Sequence, residues 1–377
     1  MLHRDSVLLK KTTATAYTTD PTITDTRGTG PARELLAQGG MKKRRPKALK
    51  DQVIVITGAS SGIGLSTARM AAKRGARVVL AARNRDDLTA VTDEIVANGG
   101  QAIAVICDVA DEAAVARLGE AALLAFGTID TWVNNAGLSI YGKLADIPLD
   151  DKRRLFDINF WGVVHGCRTA VRLMKDRGGV LINIGSEVSD IAIPLQGIYS
   201  ASKHAVKGYT DALRMELEHD RIPIAVTLVK PSAINTPYPE HARSYLEDGV
   251  PALPPPIYAP EVVAEAILHC AERPVRDIIV GGAGRVQVAM GHLAPRLTDA
   301  FMERAMFNQQ KGHDRTHQAE GNLYRPQRDG RAHGPYRGHV MKSSAYTRAA
   351  LSDVTRVLPF VAAGVALAAG VRRWRAA

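Results

Sequence analysis

The chain has 377 residues, 46% hydrophobic and 5% aromatic, enough to bury a full core, and with no early secretory-type apolar run it reads as one globular α/β domain with extensions. Its net charge of +11 raises the question of nucleic acid, but part of the excess lies in two runs, 42–50 and 372–375, which read as solvated ends or contacts with anionic surfaces, and no nucleic-acid motif accompanies them. Cys107, Cys167 and Cys270 are scattered and lack metal-ligand spacing, which favours reduced thiols in a cytoplasmic setting.

Residues 1–40 hold nine threonines among glycine, proline and charge without apolar periodicity, so a disordered extension is expected there, with Met41 a candidate start. From Gln52 the pattern becomes regular. Strands are expected at 53–56, 77–82, 102–106, 131–133, 180–184, 224–229 and 277–280. Between them the spacing predicts helices ending near 73, at 86–97, 111–126 and 151–175, around Tyr199, and at 260–271. This alternation implies a Rossmann-type, doubly wound parallel sheet of about seven strands with helices on both faces, a catalytic domain over 50–290.

The stretch 232–258 carries Pro237, Pro239, Pro251, Pro254, Pro255 and Pro256. A long connection at the carboxyl end of a strand suits a lid over substrate, or else a surface excursion. A polar extension is expected over 291–356. Its histidines, His313, His317, His333 and His339, lack acidic or thiol partners at ligand spacing, so no metal is expected.

Two stretches carry chemistry. A strand running into Gly58, Gly62 and Gly64 and then a helix makes a dinucleotide-phosphate cradle, because glycine lets backbone amides approach a pyrophosphate and the helix N-terminus favours negative charge. Tyr199 and Lys203 are four apart and share one face if the segment is helical. An ammonium beside a phenol stabilises the phenolate, which makes Tyr199 a candidate general acid.

With these motifs in order, the chain resembles the short-chain dehydrogenase/reductase family over roughly 50–281. The matching residues are Thr57 to Gly64, Asp108 with Val109, the turn Asn134-Asn135-Ala136-Gly137, Asn159, Ser186, Tyr199 with Lys203, and Pro231 with Thr236. The resemblance implies NAD(P)-dependent oxidoreductase chemistry, with Ser60, Ser61 and Ile63 in the cradle, Asp108 and Val109 at the adenine, and Ile184, Tyr199, Lys203 and Thr236 at the nicotinamide. It further implies that Ser186 holds the substrate oxygen and Tyr199 protonates it. Lys203 would lower the phenol's pKa and hold the nicotinamide ribose, and Asn159 would fix a water linking Lys203 to solvent. The family's usual glycines are replaced by Ser189 and Ser232, near the substrate pocket. Homo-oligomers are expected from the same resemblance.

A carboxylate ending the second strand would accept the ribose hydroxyls of NAD; none stands near Ala82, and Arg83 follows. A guanidinium forks onto phosphate, so NADP(H) is favoured over NAD(H), with Arg83 as main contact and Ser60 or Asn84 helping. The expected activity interconverts a carbonyl and a secondary or primary alcohol of a small molecule, with a lipophilic substrate near a membrane in view; the alternative is a catalytically silent cofactor-binding regulator or scaffold. Finally, 357–371 is an uncharged run of fifteen residues. As a helix it covers about 22 Å, short of a bilayer core of about 30 Å. With Arg372, Arg373, Trp374 and Arg375 it suits peripheral contact with the inner face of a membrane, or a buried helix or subunit contact.

Overall fold

The central strand, β1 (Val53–Thr57), is buried at every position. A parallel strand covered on both faces is apolar throughout, not at alternate positions, which is why Val-Ile-Val-Ile fits here. The structure is a computed structural model and describes residues 45–312 and 320–352. The extension expected at 1–40, the candidate start Met41 and the apolar helix at 357–377 lie outside the described residues.

Six further strands flank β1: β2 (Arg77–Ala82), β3 (Gln101–Ile106), β4 (Thr131–Asn134), β5 (Gly179–Ile184), β6 (Ile224–Pro231) and β7 (Asp277–Val280). All pair in parallel, in the order β7-β6-β5-β4-β1-β2-β3. The order reverses between β4 and β1, and a ligand crevice belongs outside the carboxyl ends of the strands at that reversal.

The crossover helices begin where side chains can cap them. Asn84 accepts from the Asp87 amide to start Arg85–Ala97, and Asp111 accepts from the Ala113 amide to start Glu112–Phe126. The latter stops at Gly127, whose left-handed φ of 73° closes the last turn. Each cap stabilises by about 1 kcal/mol.

One face of the sheet packs Ile54, Ile56, Val78 and Leu80 against helices Gly62–Lys73, Arg85–Ala97 and Pro260–Glu272. The other packs Val53, Val55, Val79 and Trp132 against Glu112–Phe126 and the helices that precede and follow β5. Burying each such side chain contributes about 1.5–3 kcal/mol.

The helix expected as one piece at 151–175 is interrupted: Leu149–Phe156 passes through a π turn, Asp157–Trp161, into Gly162–Met174. Such turns cluster at functional positions, and this one carries Asn159.

Beyond β7 come helices Gly282–Leu293 and Pro295–Phe301. The chain then crosses back over the carboxyl edge of the sheet. Val340–Met341 pairs in parallel with Ile257–Tyr258, and Ala345–Leu351 follows, with Thr347 Oγ1 accepting from the Gly281 amide at 3.0 Å. The stretch expected as a polar extension therefore has its own structure, and Ala332 and Leu351 reach the main core. Its Arg, Gly and His content conceals this, because the segment is held mostly through its backbone.

Among the described residues no helix is long and apolar enough to cross a membrane. No group of three His, Cys, Asp or Glu able to hold a metal occurs among them either; His313 and His317 lie outside. Cys107, Cys167 and Cys270 are buried and form no disulfide.

Candidate active site

The floor of the crevice is the turn after β1. Gly58 has φ 67°, and a Cβ there would lie 2.8 Å from Ala136 Cα. Gly62, at φ 56°, faces the Thr236 side chain. Only glycine meets both demands. A Cβ at Gly64 would collide with the Gly58 carbonyl, so that glycine serves close packing and does not line the crevice.

The turn after β4 is tied to this floor. Thr57 Oγ1 accepts from the amides of Asn135 and Ala136, and Asn135 Nδ2 donates to the Thr57 carbonyl at 2.9 Å. Ser60, Ser61, Gly62 and Ile63 line a cleft into which the N-terminus of Gly62–Lys73 opens. The residues present fit a dinucleotide pyrophosphate: small side chains and the positive end of a helix, whose first amide, Gly62, donates to the Arg331 carbonyl.

At one end of the crevice Ser186, Tyr199 and Lys203 converge. Lys203 and Tyr199 lie one turn apart on Gly197–His219. That helix is registered on the sheet by a buried chain of amides: Trp132 Nε1 donates to Asn134, Asn134 to Asn183, and Asn183 to Thr210 on the helix, at 2.8, 2.9 and 2.9 Å. Tyr199 shares the crevice wall with Ser186 and Tyr238, and its ring meets that of Tyr238 edge-on at 5.6 Å. Ser186 is itself fixed as the cap of a short 3-10 turn, with Ser189 Oγ accepting from its amide. Ser189, a departure from the family's glycine, therefore holds the serine in place.

Lys203 is almost wholly buried and donates to the Ile184 carbonyl at 2.8 Å. Burial disfavours its charge and brings its pKa down to about 8. Its ammonium lies 5.7 Å from the centre of the Tyr199 ring. Burial raises the Tyr199 phenol above its ordinary value, against the hydrogen bonds of Tyr238 and Ser186.

Asn159 sits behind this cluster and not on the crevice wall. Its amide clamps Leu138, accepting from that amide at 3.0 Å and donating to that carbonyl at 2.9 Å, and also donates to Ser202 Oγ. A Cβ on Gly137 would lie 3.3 Å from Asn159 Oδ1 and 3.5 Å from Lys203 Nζ, so the two groups flank one glycine.

At the other end stand Arg83, Asn84, Asp108 and Val109. For Asp108, burial opposes ionisation, but a hydrogen bond from Arg154 at 2.6 Å and one from the Ala110 amide hold its carboxyl below the usual range. Arg83 donates to the carbonyls of Asn322, Leu323 and Tyr324 in the returning C-terminal segment. Ile184, Pro231, Thr236, Asn135, Ala136 and Gly137 complete the lining between the two ends.

Sequence reasoning missed several wall residues. Tyr238 donates to Gln196 and packs edge-on against the Tyr199 ring. Glu187, next to Ser186, is pushed up to about 7 by burial, against a hydrogen bond from Ser232. Asn322, Pro326, Gln327 and Asp329 arrive from the C-terminal segment. Tyr238 falls in the proline-rich stretch expected as a lid, and Ser232 was visible as a departure from the family pattern. Nothing local in the sequence announces the last group.

The family model for short chain dehydrogenase matches residues 52–246. An uncharacterized oxidoreductase, YxnA of Bacillus subtilis, is 45% identical over 338 residues, 89% of this chain and 93% of that protein. A short chain dehydrogenase/reductase from Burkholderia phymatum, solved in complex with NAD, superposes with a TM-score of 0.59 at 28% identity, covering 65% of this chain and 94% of its own. An alcohol dehydrogenase from Thermococcus sibiricus, solved with 5-hydroxy-NADP, gives 0.54 at 25% identity, covering 60% and 95%. With its parallel seven-stranded sheet and glycine-rich crevice, the chain belongs to the short-chain dehydrogenase/reductase family and is an NAD(P)-dependent oxidoreductase acting on CH–OH groups.

Proposed function

We propose that the chain interconverts a ketone or aldehyde and its alcohol with NADP(H), using Tyr199 as the general acid and base. The observation that carries this reading is the convergence of Tyr199, Ser186 and Lys203 on one crevice floored by the glycine-rich turn. When bound, a reduced nicotinamide supplies the hydride to the carbonyl carbon. The protein's part is proton transfer and orientation. Ser186 Oγ donates to the substrate oxygen, Tyr199 passes its proton to that oxygen, and the Lys203 ammonium, held on the Ile184 carbonyl, favours the phenolate left behind. Asn159 acts by fixing Leu138 and the Lys203 surroundings.

The two solved relatives hold different dinucleotides, so cofactor choice rests on local chemistry. No acid ends β2; Arg83 follows Ala82, with Ser60 and Asn84 on the same wall. That pattern suits a 2′-phosphate. Val188, Ile193 and Leu253 give the crevice apolar walls, which suits a lipophilic substrate. A carbonyl screen with NADPH and NADH tests the reading. Turnover with NADPH, lost in Tyr199→Phe, is the expected result; tight cofactor binding with no turnover of any carbonyl would favour the silent scaffold.

For partners, we propose a homo-oligomer in the cytoplasm with peripheral membrane contact. Val286, Met290, Leu293, Leu297 and Phe301 are exposed at helical spacing along two successive helices, beside exposed Arg285, Arg296 and Arg304. Light scattering and vesicle flotation of wild type against Leu293→Gln/Leu297→Gln would test this: no change in either removes the support from that stripe.

A further inference from the structure

The C-terminal segment 322–334 runs across the Arg83 end of the crevice and is fastened on both sides of it. On the β2 side, Arg83 donates to three of its carbonyls, Asn84 Nδ2 to the Gln327 carbonyl, and Asp87 accepts from the Asp329 amide at 2.8 Å. On the β6 side, the Asn322 amide donates to the His241 carbonyl at 2.7 Å and the Gly334 amide to the Asn235 carbonyl at 3.2 Å. Two side-chain contacts add to that side, His241 Nε2 with Asp329 Oδ2 at 2.7 Å and the ion pair of Arg331 with Glu240 at 2.7 Å. In the middle, the Gly62 amide, first in its helix, donates to the Arg331 carbonyl at 2.9 Å. Asn322, Pro326, Gln327 and Asp329 face the same crevice as the glycine-rich turn.

We infer that this strap is part of the cofactor site: it roofs the adenosine end, aims the Arg83 guanidinium, and must open for the dinucleotide to exchange. A floor and two lips would leave that end of a bound dinucleotide open to water. The strap covers it with a continuous chain anchored on both lips, so a ligand beneath leaves only when one set of anchors breaks. Three carbonyls on the guanidinium fix its plane, and a fork held in one plane loses less freedom when it meets a phosphate. The anchors are spread over many backbone bonds, so opening is a collective event and slow relative to side-chain motion.

The inference rests on the proposed dinucleotide site, and its test separates the two. Gly334→Val would drive a side chain into the Thr236 carbonyl, and Arg331→Ala removes the bonds to Glu240 and Asp329. Arg331 makes no contact with the Tyr199 cluster, whereas Gly334→Val also presses on Thr236 of the crevice wall, so the release rate is the readout for both. Stopped-flow displacement of bound NADPH, followed by its fluorescence, reads the release rate. Both variants should release NADPH at least about tenfold faster than wild type. Release at the wild-type rate from folded variants overturns the inference. Should the variants not fold, hydrogen exchange on wild type decides it. Amides of Gly62, Asp329 and Gly334 should exchange more slowly with NADPH bound; unchanged or faster exchange overturns it. Wild type that binds neither dinucleotide would instead defeat the cofactor reading itself.

Discussion

The two ends of the crevice are built on opposite terms. At the Tyr199 end, polar groups are buried with few partners: Lys203 has one carbonyl, and Tyr199 shares its bonds with Tyr238 and Ser186. At the Arg83 end, groups are held by partners: Arg83 gives three of its N–H groups to carbonyls, Asp108 is held by Arg154, and Asp329 meets His241 and Arg331. Desolvation sets proton affinities at the first end, and pairing fixes geometry at the second. The contrast teaches that one end is prepared to change its protonation and the other to hold still.

The sharpest way to break this contrast is Tyr199→Phe. Carbonyl reduction should fall by about 10²–10⁴-fold with dinucleotide affinity nearly unchanged, measured by steady-state rates and fluorescence titration. Equal loss of both would mean that Tyr199 serves binding. Next comes pH. Above about 8 Lys203 loses its proton, so kcat/KM for reduction should drop about tenfold per pH unit. The same shift has a stability signature. Between about 8 and the usual 10.5 the folded lysine is neutral while the unfolded one still binds a proton, so wild type gains stability as pH rises. Against Lys203→Met the gain should be on the order of 3 kcal/mol, read from denaturant melts; a flat difference would contradict the depressed value.

At the opposite end, Arg83→Ala should raise KM for NADPH by about ten- to a hundredfold and KM for NADH by a smaller factor, since it also frees three strap carbonyls. Unchanged preference would discredit Arg83 as the phosphate contact. The smallest effect is expected from Tyr238→Phe. Gln196 keeps its bond from Ser139, so kcat should fall about two- to tenfold, and a larger loss would place Tyr238 in the proton path.

The same division explains what could be read from the chain. The strands, the glycine turn and the Tyr199–Lys203 pair are local patterns, where periodicity or spacing states the geometry. Seven strands were expected and seven form the main sheet. The π turn at Asn159 was not legible, because it leaves the apolar pattern of a long helix almost unaltered. Nor could the low value at Lys203 and the raised one at Tyr199 be read, since burial depends on everything packed around the pair. The strap was hidden most completely. Arg83 and Leu323 are 240 residues apart, and carbonyl acceptors leave no mark on residue type.

That separation also dates the strap. Contacts between residues so far apart carry the greatest loop-closure cost, and during synthesis the amino-terminal part of a domain collapses first. The glycine cradle and the Tyr199 helix can assemble on the ribosome while residues beyond 320 are still untranslated. A nascent chain thus acquires its reactive groups before its clasp, and a message truncated ahead of that codon would yield an enzyme that grips its dinucleotide loosely.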